Sequence, residues 1–209
     1  SSTVTVGGTT NITTLNADDD IDLGSLASTG SVTLTTSGTT GNASVVNASA
    51  LDLAASSVGG NLIATATTGN VTDTGIVTVG GTTNITTTNA DDDIDLGSLA
   101  STGPVTLTTS GTTGNATVVN ASALDLAAST VGGNLAVTAT TGNLTDSGAV
   151  AVGGTTTLTT SAANATIDVG TTASTGAVSL NTNGASGSAT IVHANALDLG
   201  VSSVGGNLV

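Results

Sequence analysis

Apolar and polar residues alternate with a period of two in short runs along the whole chain. In residues 31–35 (SVTLT), valine and leucine fall on one side, and serine and threonine fall on the other. Such alternation is typical of a strand with one buried face. In each repeat the pattern predicts nine short strands, which in the first copy are 10–14, 20–23, 26–29, 32–36, 43–47, 50–54, 62–67, 70–73 and 76–79.

The alternating pattern itself repeats at a fixed interval. Residues 58–81 return almost unchanged at 131–154, and the same run begins again at residue 204. The interval is 73 residues each time. Three copies result, at approximately 7–79, 80–152 and 153–209, and the first two match at 63 of 73 positions. A period this strict indicates stacked modules. We expect residues 1–209 to form a single solenoid segment that is part of a longer array.

Glycine-rich corners divide each copy into about three coils. In the first copy these coils are 9–30, 31–60 and 61–81, and the middle one is the longest. Three strands per coil predict an all-β fold, a right-handed parallel β-helix (β-solenoid) with a triangular cross-section. The handedness follows from the general preference of parallel crossovers. Stacking of the coils at about 4.8 Å predicts a rod about 40 Å long.

The composition of the chain excludes several classes of function and says less about the fold. The chain has no Lys, Arg, Cys, Met, Phe, Tyr or Trp, and its formal charge is −14, all from aspartate. Without cations it cannot replace the counterions of nucleic acid, and it has no attraction to anionic membrane surfaces. No apolar run reaches the length of a membrane span, so we expect no membrane insertion. The absence of Lys and Arg removes every trypsin-type cleavage site, which suits an extracellular protein.

Two runs resemble a known family. Residues 60–87 (GNLIATATTGNVTDTGIVTVGGTTNITT) and 47–62 (NASALDLAASSVGGNL) are similar to the repeats of filamentous haemagglutinin-like adhesins. Those are large bacterial surface proteins, and the resemblance covers essentially the whole chain. It implies a right-handed parallel β-helix located on a bacterial cell surface or in an extracellular fibre.

The densest charge lies in two equivalent acidic runs. Calcium prefers several carboxylate and carbonyl oxygens, so these runs are calcium candidates. The alternative is a solvated acidic corner, because the spacing does not match an EF-hand loop and the third copy reads NATID at 164–168. The candidate ligands are Asp18, Asp19, Asp20, Asp22, Asp91, Asp92, Asp93 and Asp95.

The other polar residues favour structural roles. Asp52, between two inward leucines, is expected to face water, whereas Asp73 and Asp146 are expected to hydrogen-bond backbone amides at a corner. His193 replaces Asn47 and Asn120, which indicates a polar corner residue. Serine and threonine are frequent, but no base accompanies them, so we expect no catalysis and no other cofactor.

These observations predict a structural shaft or fibre segment of a secreted or surface-anchored bacterial adhesin or extracellular filament. The alternative is a binding module that uses threonine-rich faces or aspartate-rich corners to recognise ice, glycan or calcium. We expect self-association end to end or side by side. Contact with a host or neighbouring cell is expected through domains outside this segment.

Overall fold

The computed structural model of the chain describes residues 2–209. Within that range all regular structure is β, with 23 strands and no helix. The all-β solenoid predicted from the sequence is therefore confirmed. Since there is no helix among the described residues, none is long and apolar enough to cross a membrane.

The strands form two parallel sheets, one of 12 and one of 11 strands. The first sheet contains β1 (Val4–Val6), β3 (Ile21–Ser28), β5 (Ala43–Asn47), β8 (Leu62–Ala66), β11 (Thr83–Ala90), β13 (Val105–Ser110), β15 (Leu124–Leu126), β16 (Ser129–Val131), β18 (Leu144–Asp146), β19 (Val150–Val152), β21 (Ile167–Ser174) and β23 (Ala189–His193). The second contains β2 (Thr10–Ala17), β4 (Val32–Ser37), β6 (Leu51–Leu53), β7 (Ser56–Val58), β9 (Val71–Asp73), β10 (Val77–Val79), β12 (Ile94–Ser101), β14 (Ala116–Asn120), β17 (Leu135–Ala139), β20 (Thr156–Ala163) and β22 (Val178–Asn183).

The alternation of residues gives most strands one buried and one more exposed side, as predicted. In β4, Val32 and Leu34 are fully buried, and the threonines between and after them alternate between partly exposed and buried. Valine, isoleucine, leucine and alanine from both sheets meet in one continuous core. Without aromatic rings, these small and branched side chains fill the narrow space between the sheets.

The turns are shorter than the coils marked out by the glycines. Nine successive parallel pairings lead from Ile21 on β3 through Ala43, Leu62 and further turns to Leu208, a mean of about 21 residues per turn. At about 4.8 Å per turn, this part of the rod is about 43 Å long. The expected count of about three coils per repeat is thereby refined to three and a half turns.

The extra half turn moves every repeated strand to the other sheet. The equivalent strands β2, β11 and β20 lie in the second, first and second sheet, and β3, β12 and β21 lie in the first, second and first. Successive copies are thus related by half a rotation and a shift of about 17 Å along the rod. Any surface feature that occurs once per repeat appears on opposite faces in turn.

Nine strands in three coils predict that the first strands of the coils, 10–14, 32–36 and 62–67, stack on one another, and this prediction is wrong for the third strand. Residue Thr10 does stack on Val32, as expected, but Leu62 stacks on Ala43 in the other sheet. The long coil predicted at 31–60 contains about one and a half turns. The short strand β7, which the alternation did not reveal, lies within it.

Candidate functional site

The predicted acidic corner begins with a residue in the left-handed conformation. Asp18 and Asp91 have φ values of 64° and 67°, and their counterpart in the third copy, Asn164, has 62°. Aspartate and asparagine are the non-glycine residues that adopt this conformation most readily. The left-handed backbone at this position therefore favours aspartate and asparagine, which explains why asparagine can replace aspartate in the third copy with the backbone conformation unchanged.

The carboxylate of this residue caps the backbone of the next turn. Oδ1 of Asp91 accepts hydrogen bonds from the N–H groups of Thr112 and Thr113, both at 2.9 Å. These two bonds stabilise the ionised form and lower the pKa of Asp91, and the pKa of Asp18 is lowered in the same way by Thr40 and Thr39. The ionised carboxylate thus caps two backbone N–H groups at a corner of the solenoid.

The third residue of the run begins a ladder of side chains. Oδ1 of Asp20 accepts from the backbone N–H of Asn42 at 2.7 Å, Oδ1 of Asn42 accepts from the N–H of Asn61 at 2.9 Å, and Oδ1 of Asn61 accepts from the N–H of Thr82 at 2.8 Å. Asp93 begins the same ladder one copy later. Each step satisfies a backbone donor where the strands separate at a corner.

The remaining predicted calcium ligands are used differently. Asp19 and Asp92 accept hydrogen bonds from Asn16 and Asn89, respectively. Asp22 and Asp95 are exposed on strands β3 and β12, and within residues 2–209 neither carboxylate accepts a hydrogen bond from this chain. No group of three or more His or Asp side chains in the described part of the chain lies close enough to hold a metal ion. Calcium binding by these carboxylates stays a prediction.

Asp73 caps a bulge, which confirms that it binds backbone amides. Strand β12 has an irregular register between Leu96 and Leu99, and the carboxylate of Asp73 accepts from the N–H groups of Gly97 and Ser98 at 2.9 and 2.8 Å. Asp146 does the same for Gly170 and Thr171. The bulge itself was not predicted, although a glycine inside an alternating strand is its usual sign.

A second carboxylate lies beside Asp73. Asp52 projects outward between Leu51 and Leu53, as predicted, but it is only partly exposed to water, and its Oδ2 accepts from Thr74 at 3.1 Å. Its Oδ1 is shielded from solvent without a hydrogen-bond partner, and the same is true of Oδ1 of Asp125. Partial burial raises the pKa of Asp73, and the charges of Asp95 and Asp52 raise it further against the effect of its two amide bonds.

A shallow apolar groove runs alongside this bulge on the outer face of the second sheet. Its volume is about 240 Å³, and it is lined by Ile76, Gly97, Ser98, Leu99, Val119, Ala121 and Thr140. The equivalent groove of the next copy lies on the first sheet, with a volume of about 390 Å³ and a lining of Ala149, Val150, Ala151, Gly170, Thr171, Ala173, Val192 and Ala194. The half-turn relation places the two grooves on different faces of the rod.

His193 takes the place of a buried asparagine. In the second copy, Asn120 is fully buried, accepts from the N–H of Ser101 at 2.8 Å and donates to the carbonyl oxygen of Ala123 at 2.8 Å. In the third copy, Nε2 of His193 accepts from the N–H of Ser174 at 2.8 Å. The ring thus reproduces the backbone contact of the amide, in agreement with the predicted polar structural role.

Threonine side chains form columns on the outer faces. On the first sheet, Thr65, Thr86, Thr108 and Thr130 pair in register on four consecutive turns. Neighbouring columns are interrupted, for example by Ile63 and Asn84 next to Thr106. The flat threonine arrays expected from the sequence are therefore present as short columns.

Stacked parallel turns, side-chain ladders at the corners and a strict internal repeat define a β-solenoid repeat protein. Two segments, 40–108 and 113–181, match the family model described as repeats of unknown function (DUF5649). The chain belongs to this family, and the two matches begin at equivalent positions of successive copies. No curated protein and no solved structure matches the chain.

Proposed function

We propose that the segment is a non-catalytic shaft of a secreted or surface-anchored bacterial adhesin or extracellular filament. The observation that carries this proposal is the continuous stack of parallel turns with one shared core. In such a stack, length grows with the number of copies while the contacts between turns stay the same. The resemblance to filamentous haemagglutinin-like repeats and the lack of trypsin sites support a location outside the cell.

Rod length as a function of copy number tests the shaft. Proteins with two, three and four complete copies are purified and imaged by electron microscopy, with and without a chelator. We expect straight rods that lengthen by about 17 Å per copy. The control is a protein from which one complete turn has been removed. Because the turns on either side of the deletion no longer match each other, we expect the rod to be disturbed at that point only. Globular particles whose length does not follow copy number would contradict the proposal.

The cellular location needs a separate measurement. Antibodies raised against residues 2–209 are applied to intact cells that produce the full-length protein. Labelling of intact cells supports an adhesin or filament, whereas labelling only after permeabilisation contradicts it. End-to-end and side-by-side association of the rods stays a prediction, and the same micrographs at increasing protein concentration test it.

A second candidate function is ice binding through the threonine columns. The specific observation in its favour is the column of Thr65, Thr86, Thr108 and Thr130, which repeats a hydroxyl and a methyl group at the strand spacing. Thermal hysteresis of the purified rod measures it. A Thr86→Asp, Thr108→Asp variant should abolish the hysteresis, and absence of hysteresis in the unaltered rod excludes this function.

A further inference from the structure

We propose that the apolar groove present in successive repeats docks an extended, cationic and apolar segment of a partner polypeptide. The first such site, the Ile76 groove, has the carboxylate of Asp73 at its edge, with Asp95 and Asp52 close to Asp73. The second, the Val192 groove, has the carboxylate of Asp146 at its edge, and Asp168 precedes the bulge on the same strand. The inference is independent of whether the rod serves as a shaft.

One carboxylate contacts the edge of the apolar floor, and two others lie beside it. Asp73 holds the N–H groups of Gly97 and Ser98, and these two residues line the Ile76 groove. Asp95 precedes the bulge on the same strand, and both Asp95 and Asp52 are near enough to act electrostatically on Asp73. Ile76, which is 62% exposed, adds an open apolar side chain to the lining of the groove.

The internal repeats distinguish carboxylates that serve the fold from those that do not. The corner run Asp91, Asp92, Asp93 becomes Asn164, Ala165, Thr166 in the third copy, although its members cap backbone amides. Asp95 is retained in every copy, as Asp22, Asp95 and Asp168, yet none of these three carboxylates accepts a hydrogen bond within residues 2–209. Asp95 lies close enough to Asp73 to repel it, so its carboxylate makes no stabilising contact within the fold and is available to a partner.

Charge determines the kind of occupant. The segment has no Lys or Arg, so a second copy of it cannot neutralise the three carboxylates. A partner must bring the cations, and the groove favours apolar side chains next to them. An extended strand that alternates apolar and cationic residues places its apolar side chains on the floor, and its long lysine or arginine side chains reach over to the carboxylate edge.

The half-turn repeat sets the geometry of binding. The Ile76 groove lies on the second sheet and the Val192 groove on the first, three and a half turns apart. Two partners therefore bind one chain on different faces, about 17 Å apart along the rod. A longer array presents such grooves on both sides and can connect neighbouring partners.

Fluorescence anisotropy with a labelled synthetic peptide of alternating Lys and Leu tests the proposal. We expect about two peptides per chain, with an affinity that falls as salt is added because exposed charges are screened. An alternating Glu–Leu peptide should not bind, and an alternating Lys–Ser peptide should bind at least tenfold more weakly. Equal binding of the Lys–Leu and Lys–Ser peptides would overturn the apolar part of the proposal.

Two double variants with the same change in net charge separate the groove from general attraction to an acidic rod. Asp95→Asn with Asp168→Asn should weaken binding at least tenfold and leave the melting temperature unchanged or higher. The control, Asp18→Asn with Asp91→Asn, removes two corner charges and should keep the affinity within about twofold. An equal loss in both variants would show non-specific attraction and overturn the proposal, and unchanged affinity in the first would do the same.

Discussion

Two carboxylates of the rod each cap two backbone N–H groups, but in different surroundings. At the corner, Asp91 accepts the N–H groups of Thr112 and Thr113, and at the bulge, Asp73 accepts those of Gly97 and Ser98. All four distances lie between 2.8 and 2.9 Å. The pKa of Asp91 is nevertheless lowered and that of Asp73 is raised.

Solvent access and neighbouring charges account for the opposite shifts. Asp91 is exposed at a corner, so the backbone bonds to Thr113 and Thr112 dominate its pKa. Asp73 is partly buried, and desolvation together with the charges of Asp95 and Asp52 outweighs the same number of bonds. Amide donors alone therefore do not determine the charge state of a carboxylate in this fold.

The largest expected effect comes from adding a methyl group at the corner. Gly111 has φ 81°, and a Cβ there would lie 2.7 Å from the backbone N of Asp91. We expect Gly111→Ala to lower the free energy of unfolding by about 3 kcal/mol, since both the backbone conformation and the close approach are unfavourable for alanine. Calorimetry of the purified rod measures this loss.

Gly97 at the bulge provides the matched control. A Cβ on Gly97 would meet only Oδ1 of Asp73, at 3.8 Å, which is ordinary contact. We expect Gly97→Ala to change the free energy of unfolding by no more than about 0.5 kcal/mol. If both glycine variants were equally destabilised, the corner would not be the tighter of the two regions.

Removal of the bulge carboxylate should have the next largest effect. Asp73→Ala leaves the N–H groups of Gly97 and Ser98 without their acceptor, which should cost about 1 kcal/mol because water replaces the carboxylate only in part. The control Asp95→Asn keeps both bonds and removes a repulsive charge, so it should not lower stability. Thermal unfolding of the two variants is the measurement, and equal loss in both would contradict a capping role for Asp73.

The sequence predicted most of the strands and the capping role of Asp73, but not the geometry of the contacts between turns. Alternation located most strands, and the corner position of Asp73 correctly indicated bonds to backbone amides. It did not identify Gly97 and Ser98 as the donors, because they lie one turn away, further along the chain. Pairing between turns depends on how many residues each corner takes up, and glycine positions alone do not fix that number.

The half-turn relation between copies was missed for the same reason. The internal repeat shows that Thr10 and Thr83 are equivalent, and a repeat of three whole coils would place both on the same face. In the structure Thr83 stacks on Leu62 and Val105, in the sheet opposite to that of Thr10. A repeat of whole turns and a repeat of half-integral turns have the same sequence signature, and only the register distinguishes them.

Acid titration should separate the two carboxylates by the sign of their effect. Because the folded pKa of Asp91 is lowered, its stabilising contribution is present above the ordinary value of about 3.9 and is lost as the pH falls through the folded pKa. Because the folded pKa of Asp73 is raised, its ionisation destabilises the fold as the pH rises from the ordinary value through the folded pKa.

Melting temperatures measured against pH for the unaltered rod and the single variants Asp73→Asn and Asp91→Asn check this. Relative to Asp73→Asn, the unaltered rod should gain stability as the pH falls toward about 4, as the carboxyl of Asp73 takes up its proton. Relative to Asp91→Asn, it should lose stability only at lower pH. Curves that run parallel in all three proteins would contradict both shifts.

The smallest effect is expected for Asp91→Asn at neutral pH. The third copy already carries this substitution: Asn164 keeps a φ of 62°, and its Oδ1 accepts from the N–H of Ser186 at 3.0 Å. An amide oxygen thus suffices at the corner, and the melting temperature should stay within about 1 °C of the unaltered rod. Asp91→Ala should lower it by more, since alanine neither favours the left-handed conformation nor supplies an acceptor. If asparagine were as harmful as alanine, the corner would require a charge, and its difference from the bulge would be one of solvent access alone.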